Sequence, residues 1–238
     1  MKIKSQTAWH SSYEENNYGE LFYALVRIYQ PKKVVEIGTL AGYSAYHMAR
    51  ALKANGHGTL DCYDLWENCL YNFGIDFTFK SVAEDNLRDY QDIIRLELRD
   101  AVGIDKKYKT VDILHLDIDN DGVILDKIIP AWIDKVKFLI IIEGGSTARD
   151  DLDKDINYKK MPVSEWLGGL DNNQADNLKK IVPEKLDKTG QYVVIEGDYR
   201  YKKKPIAKWL LDYSKNRKDI EYFTFEPFPS LTIIRKKV

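Results

Sequence analysis

The chain has 238 residues, 44% hydrophobic and 31% charged, with 36 Lys and Arg against 37 Asp and Glu, a net charge of −1. That length carries one large α/β domain with a full core, and the charge balance argues against a broad nucleic-acid or anionic-membrane surface. No run of 18 apolar residues offers a membrane span, and Cys62 and Cys69 are too few for a disulfide framework.

Residues 1–15 are polar and aromatic, without a clear period, and Met1–His10 lacks an apolar signal core; with only two cysteines a reduced cytoplasmic setting is expected. A helix is predicted from Tyr18 to Tyr29, with Leu21, Leu25 and Ile28 on one face and Pro31 as its stop. Strand one runs over Lys33–Ile37, a helix over about Ser44–Ala54, and Asn55–Gly58 is a break. Strand two spans Thr59–Tyr63 and ends at Asp64, with Cys62 read as core. A helix over Ser81–Tyr90 precedes strand three, Ile93–Leu98. Strand four, Val111–Leu116, ends at Asp117. A helix over Asp121–Asp134, bent or delayed near Pro130, leads to the apolar strand five, Lys137–Ile142. Helix-rich sequence runs from Ser164 to Leu186, a short strand is placed at Gln191–Glu196, and Pro205–Lys215 reads as helix. Tyr222–Phe228 and Leu231–Arg235 form a closing hairpin around Pro229.

Strands alternating with helices predict a doubly wound, mostly parallel sheet whose ligands sit beyond the carboxyl ends of the strands. Glu36, Asp64, Asp100, Asp117 and Glu143 all stand at or near such ends. Strand-end acids are ordinary caps and turn formers, but five together point to a shared site.

The segment Val34-Val35-Glu36-Ile37-Gly38-Thr39-Leu40-Ala41-Gly42-Tyr43-Ser44 reads as strand, tight loop and helix start. It lacks both G-x-G-x-x-G and G-x-x-x-x-G-K-[ST]. An acid before the turn suits a cationic or hydroxyl-bearing ligand better than a pyrophosphate. The segment resembles motif I of the class I S-adenosylmethionine (SAM) methyltransferases. From Gly19 to Leu52 it is similar to the catechol, caffeoyl-CoA-type and macrocin-type O-methyltransferases, on Tyr29-Gln30-Pro31, Glu36-Ile37-Gly38, Gly42-Tyr43-Ser44-Ala45 and Met48-Ala49-Arg50. The resemblance implies a seven-stranded Rossmann-like sheet with a C-terminal antiparallel hairpin, SAM as cofactor, and methyl transfer. It covers about 35 residues specifically and the remainder only architecturally. One domain over 1–238 is expected, with 1–17 as a cap segment and 146–175 as an insertion.

The cofactor-binding set implied or suggested by position is Glu36, Gly38, Thr39, Leu40, Gly42, Ser44, Asp64, Leu65, Trp66, Asp100, Ala101 and Asp117. Asp64 is placed to accept from both ribose hydroxyls, or else to cap the segment after it. Leu65 or Trp66 would pack on adenine, with Trp66 equally readable as core. Asp100 and the backbone at Ala101 would meet the adenine amino edge, or Asp100 would be a helix cap. Ser44 and the amides after Gly38 would hold the cofactor carboxylate near a helix N-terminus. Glu36 would orient the loop and the ammonium. Leu40 stands where many methyltransferases carry a glycine.

No D/N-P-P-Y follows strand four, which argues against methylation of nucleic-acid bases. The resemblance gives Asp117 and Glu143 as ligands of a divalent metal, with Mg²⁺ possible. The position of its amide ligand is Gly144 and that of its base lysine is Asn120, so Asp119 is put forward as the third ligand. Asp117, Asp119 and His10 form the catalytic set; a lone histidine such as His10 is more often structural or exposed, and His115 reads as a core histidine. Trp9, His10 and Tyr13 would fold over the site, whose mouth the strand-end segments line with Asp117, Asp119, Asp121 and Glu143. The insertion, with Trp166-Leu167-Gly168-Gly169, is either a lid or oligomer contact or a surface excursion. Lys202-Lys203-Lys204 reads as a solvated loop rather than a basic patch. The partners expected are a small-molecule acceptor and a second copy in a homodimer, with neither nucleic acid nor membrane. A SAM- or nucleoside-binding module without catalysis, N-methylation of a small amine and an NAD-linked dehydrogenase are the competing functions.

Overall fold

The computed structural model describes residues 9, 11–14, 16–66, 80–118, 121–147, 160–162, 192–194, 204–226 and 229–237. The chain divides into two compact units. One comprises Met1–Asp64, Phe79–Asp153 and Lys203–Val238; the other comprises Leu65–Thr78 and Lys154–Lys202.

The first unit holds a seven-stranded sheet. Its strands are β1 (Lys33–Ile37), β2 (Thr59–Asp64), β3 (Ile94–Leu98), β4 (Val111–Leu116), β5 (Val136–Glu143), β8 (Ile220–Phe225) and β9 (Leu231–Lys236), in the order β3-β2-β1-β4-β5-β9-β8. The pairs from β3 through β5 are parallel, and β9 runs antiparallel to both β5 and β8. The doubly wound sheet and closing hairpin expected from sequence are therefore present. In the second unit, β6 (Lys160–Pro162) and β7 (Tyr192–Val194) pair as a two-stranded antiparallel sheet.

Helices α1 (Tyr18–Tyr29), α2 (Tyr43–Asn55), α3 (Lys80–Asn86), α4 (Gly122–Trp132) and α5 (Ile206–Asn216) surround the main sheet. Alternate residues of each central strand enter opposite cores, as the two-residue period of a strand requires. Val35, Leu114, Leu116, Ile140 and Ile142 pack with Leu125, Ile129, Trp132 and Trp209 from α4 and α5. Val34, Cys62, Ile113, Leu139 and Ile141 pack with Phe22, Val26, Met48 and Leu52 from α1 and α2.

Several element boundaries differ from expectation for local reasons. The predicted helix over Ser81–Tyr90 is α3 followed by a 3-10 turn at Arg88–Tyr90. Asp121 is the cap of α4 rather than its first residue, and Pro130 lies within the helix's last turn. The closing hairpin begins at Ile220 and its first strand stops at Phe225. The Ser164–Leu186 segment lies outside the described residues, as do Cys69, Trp166-Leu167-Gly168-Gly169, Lys202 and Lys203.

At the far end from the candidate site, buried Asp112 clamps three strands. It accepts from the backbone amides of Lys32 and Lys33 at 2.7 and 2.9 Å and pairs with Lys137 at 3.1 Å.

Candidate functional site

The period-two alternation decides which strand-end residues share a face. Residues of the α1/α2 side, two apart, give Val34 then Glu36, Cys62 then Asp64, Ile113 then His115 then Asp117, and Ile141 then Glu143. The register places Glu36 between Cys62 and His115, and Leu116 beside Ile142. Four carboxylates from β1, β2, β4 and β5 thus stand on one side of the sheet at its carboxyl end.

The loop after β1 is held by Asp64. Its Oδ2 accepts from the amides of Thr39 and Leu40, both at 2.7 Å. Gly38 and Gly42 have φ of +92° and +93°, and Leu40 has φ of +48°, so the residue where glycine is common adopts a glycine-like backbone. The need for glycine at position 38 comes from packing: a Cβ there would strike the Asp117 carbonyl. Gly42 begins α2 as its N-cap.

Glu36 is fully buried. Ser44 donates to its Oε1 at 2.5 Å, and His115 Nδ1 lies 2.9 Å from the same oxygen. His115, expected as a satisfied core histidine, is satisfied on one side only, because its Nε2 has no hydrogen-bond partner among the described residues. Glu36 Oε2, Thr39 Oγ1 and the Tyr13 hydroxyl are buried atoms in the same condition. Buried polar atoms normally find a partner, so four such atoms gathered at the ends of β1 and β4 mark a place built for polar groups of a ligand.

Asp117 and Glu143 meet across β4 and β5. Burial raises the Asp117 carboxyl well above its ordinary range, and the charge and hydrogen bond of Glu143 raise it further. The Glu143 charge thus favours the protonated form of Asp117, as two adjoining carboxylates resist ionising together. Burial, then the charges of Asp117 and Glu143, push the Tyr13 phenol well up. Burial raises the Cys62 thiol likewise, which suits the core role expected of it.

The turn after Glu143 is tied to β9. Gly144 N–H donates to Ser230 O at 2.7 Å, and Thr232 donates to Gly144 O at 2.7 Å. A Cβ on Gly145 would meet the Thr232 hydroxyl. Ser146 donates to Glu226 at 2.6 Å.

The other expected residues fall as follows. Asp100 is exposed beyond β3, where its carboxylate takes the Val102 amide at 2.8 Å, closing a local turn rather than capping a helix. Ala101 packs against the α4/α5 core. Leu65 is half-buried and Trp66 is buried. Asp121, counted with the acids of the pocket mouth from sequence, is buried as a cap accepting from Val123 and Lys204, both at 2.9 Å, so it is corrected to a structural residue. Its position directly before an apolar helical run was the signal for that role. Lys204 pairs with Asp126 at 2.8 Å. Asp119, Asn120 and His10 lie outside the described residues. Among the described residues no group of three His, Cys, Asp or Glu converges as a metal site, and no helix is long and apolar enough to cross a membrane.

Comparison with known proteins agrees with this geometry. The family described as a methyltransferase domain matches residues 35–142. The SAM complex of the O-methyltransferase TomG of Streptomyces achromogenes is similar at 15% identity and TM-score 0.56, covering 100% of this chain and 92% of that one. An O-methyltransferase of Bacillus cereus bound to S-adenosylhomocysteine (SAH) is similar at 13% identity and TM-score 0.53, over 93% and 81% of the two chains. A methyltransferase of Geobacter sulfurreducens gives 16% identity and TM-score 0.51, over 97% and 88%. At these identities the likeness establishes the fold. No curated protein matches the chain in sequence. Motif, topology and the match over residues 35–142 agree on the class I SAM-methyltransferase fold for this chain.

Proposed function

We propose that the protein transfers the methyl group of SAM to a hydroxyl of a small molecule at the carboxyl ends of β1, β2, β4 and β5. The observation that carries this is the single face holding Glu36, Asp64, Asp117 and Glu143 around the Gly38–Gly42 loop. The residues fit the cofactor: Glu36 Oε2 is a buried carboxylate oxygen without a partner among the described residues, suited to an ammonium, and Asp64 already shapes the loop. Ser44 and His115 orient Glu36. Asp64 would bind the ribose, and Asp100 and Ala101 the adenine edge. SAM supplies an activated sulfonium methyl, and the protein aligns an acceptor oxygen with it and excludes water. Such alignment is worth roughly 7–11 kcal/mol of barrier.

Asp117 and Glu143 also fit a hard divalent cation such as Mg²⁺, which commonly takes one or two carboxylates and completes its shell with water and substrate oxygens. Asp119 is proposed as a further ligand and His10 as a base. Bound there, the ion would favour the deprotonated acceptor hydroxyl.

The acceptor is a hydroxyl-bearing small molecule, with two adjacent oxygens if it chelates the ion. The near-neutral charge and the acids at the site support a protein that leaves DNA and RNA unbound at about 0.15 M salt. We place it in the cytoplasm as one functional domain with an N-terminal cap and an insertion after β5. A homodimer is the proposed assembly, to be read by light scattering. Gly144 in place of an amide ligand favours the competing reading, a SAM-binding protein without transfer.

Isothermal titration with SAM, SAH and NAD, followed by mass spectrometry of candidate hydroxylated acceptors, tests the proposal. SAM and SAH binding with a +14 Da product supports it. Preference for NAD, or binding without product across phenols, sugars and amines, overturns it.

A further inference from the structure

β8 ends the seven-stranded sheet on one side, so its outer edge faces no strand of that sheet. Its register with β9 runs from Ile220 to Phe225 without a shift, and the strand carries neither proline nor lysine. Bulges, prolines and lysines are common means of blunting an outer strand, and β8 uses none of them. It also exposes large aromatic side chains, Phe223 at 62% and Tyr222 at 37%.

The phase of the backbone decides which groups point outward. Lys237 N–H donates to Asp219 O at 2.8 Å, one step beyond the Ile220–Lys236 pairing. Hydrogen-bonded and non-hydrogen-bonded pairs alternate along an antiparallel ladder. Glu221, Phe223 and Phe225 therefore turn their amides toward β9, as Asp219 does, and Tyr222 and Thr224 turn theirs to the outer edge. An antiparallel copy of β8 fits this phase when its even-numbered residues lie opposite even-numbered ones.

The charges select both occupant and register. Lys218 and Glu226 flank the strand at opposite ends, and both are exposed. With Tyr222 opposite the partner's Tyr222, Lys218 falls opposite the partner's Glu226 at each end of the pairing, and no like charges face each other. Opposite charges directly across strands are favourable. Centring on Phe223 instead sets Glu226 against the partner's Ile220 and loses the charge match. The Tyr222 axis also puts the partner's Phe223 opposite Glu221, which binds Arg235. Both residues border a groove of about 330 Å³ lined by Leu25, Tyr29, Leu139 and Ile233, so the exposed ring gains apolar surface beside it. The match is of the surface to itself, as a two-fold interface requires.

We propose that two copies of the chain dimerise through β8, antiparallel about a two-fold axis at Tyr222, which joins their sheets into one. The proposal rests on the homodimer reading above and names its surface.

Sedimentation equilibrium on wild type, Lys218→Glu, Glu226→Lys and an equimolar mixture of the two variants tests it. Wild type is expected at twice the 27.7 kDa chain mass. Each variant alone sets like charges opposite each other at both ends and should dimerise at least tenfold more weakly. In the mixture both ends regain opposite charges, so the dimer should return, which also shows that the variants are folded. Tyr222→Cys should cross-link to itself under mild oxidation, because hydrogen-bonded pairs hold their Cα atoms about 5.5 Å apart, a distance that a disulfide spans; Thr224→Cys should not. A monomeric wild type would overturn the homodimer reading and this inference together. A wild-type dimer that neither charge variant weakens would overturn the β8 interface and leave a homodimer through another face. Variants that stay monomeric when mixed, or cross-linking through Thr224→Cys in place of Tyr222→Cys, would overturn the register.

Discussion

Replacing Asp64 with alanine separates two functions that converge on one carboxylate. Its Oδ2 takes two amide hydrogens at 2.7 Å, and hydrogen bonds to a charged group contribute about 1.5–3 kcal/mol each. Asp64 is half-buried, so the lower end applies, or roughly 3 kcal/mol for the pair. Those bonds hold Leu40 at φ +48°, a geometry that costs a side-chain-bearing residue about 1 kcal/mol. Relaxation of Leu40 returns that amount, leaving a net loss of about 2 kcal/mol, which lowers Tm by about 4–8 °C in a chain of this size. Binding suffers separately. The cofactor must restore the loop at about 1 kcal/mol and forgo a charged ribose contact worth about 1.5 kcal/mol, so SAH affinity falls between one and two orders of magnitude. Asp64→Asn retains an oxygen for the two amides while converting the other oxygen into a donor, so its Tm stays nearer wild type while its SAH affinity still falls. Differential scanning fluorimetry and SAH titration on the three proteins give both readouts. Wild-type SAH affinity in folded Asp64→Ala would remove Asp64 from the cofactor site, and an unchanged Tm would refute its role in holding the loop.

Gly38→Ala places a Cβ against the Asp117 carbonyl and is expected to cost more than about 3 kcal/mol or prevent folding, whereas Leu40→Gly should change stability by no more than about 1 kcal/mol; the reverse order in urea unfolding would contradict the loop geometry. Burial alone would raise the Asp112 carboxyl, but the Lys33 amide, the Lys137 ammonium and the Lys32 amide outweigh it and hold it below 3.8. Its stabilisation is therefore complete above that range and lost as pH falls through the lower, folded value, so the Tm gap between wild type and Asp112→Asn should narrow from pH 7 to pH 3, and a constant gap would count against the clamp. Asp117 has the opposite sign: its raised folded value means that the metal-free protein binds more protons than the unfolded chain and loses stability as pH rises above about 3.8. Glu143→Gln should accordingly raise the metal-free Tm relative to wild type more at pH 8 than at pH 5 while reducing turnover, and equal differences at both values would refute the coupling. EDTA should abolish turnover if the ion is required; full activity in EDTA would leave a metal-independent mechanism.

Legibility from sequence followed locality. The alternation of apolar strands with amphipathic helices carried the sheet and its closing hairpin, because the central strands β1, β2, β4 and β5 are largely buried and read as apolar runs. Glu36, Asp64, Asp117 and Glu143 stood out as acids at the ends of such runs, and counting in twos along each strand would also have placed them on one face. The tie between Asp64 and the loop amides was not legible, since it depends on backbone direction at Thr39 and Leu40. His115 read as core because nothing local shows that it pairs with Glu36, 79 residues away. Proximity to Asp117 points Asp121 to the pocket mouth, whereas its place before α4 is that of a cap. Tyr13 was visible only as one aromatic residue in a segment without a period, and its hydroxyl acquires meaning from tertiary packing alone.

The tie between Gly144 and Thr232, residues 88 apart in sequence, also sets an order of assembly. As the chain leaves the ribosome, β1, β2, β3 and β4 emerge in sequence, and their mutual pairings need nothing that follows β4. The loop held by Asp64 and the buried Glu36–His115 contact belong to this early portion. Glu143 emerges soon afterwards, but its turn finds its anchors on Ser230 and Thr232 only when β9 appears. The partners that hold the half of the site proposed for the cofactor are thus all synthesised before the anchors of the half proposed for the acceptor.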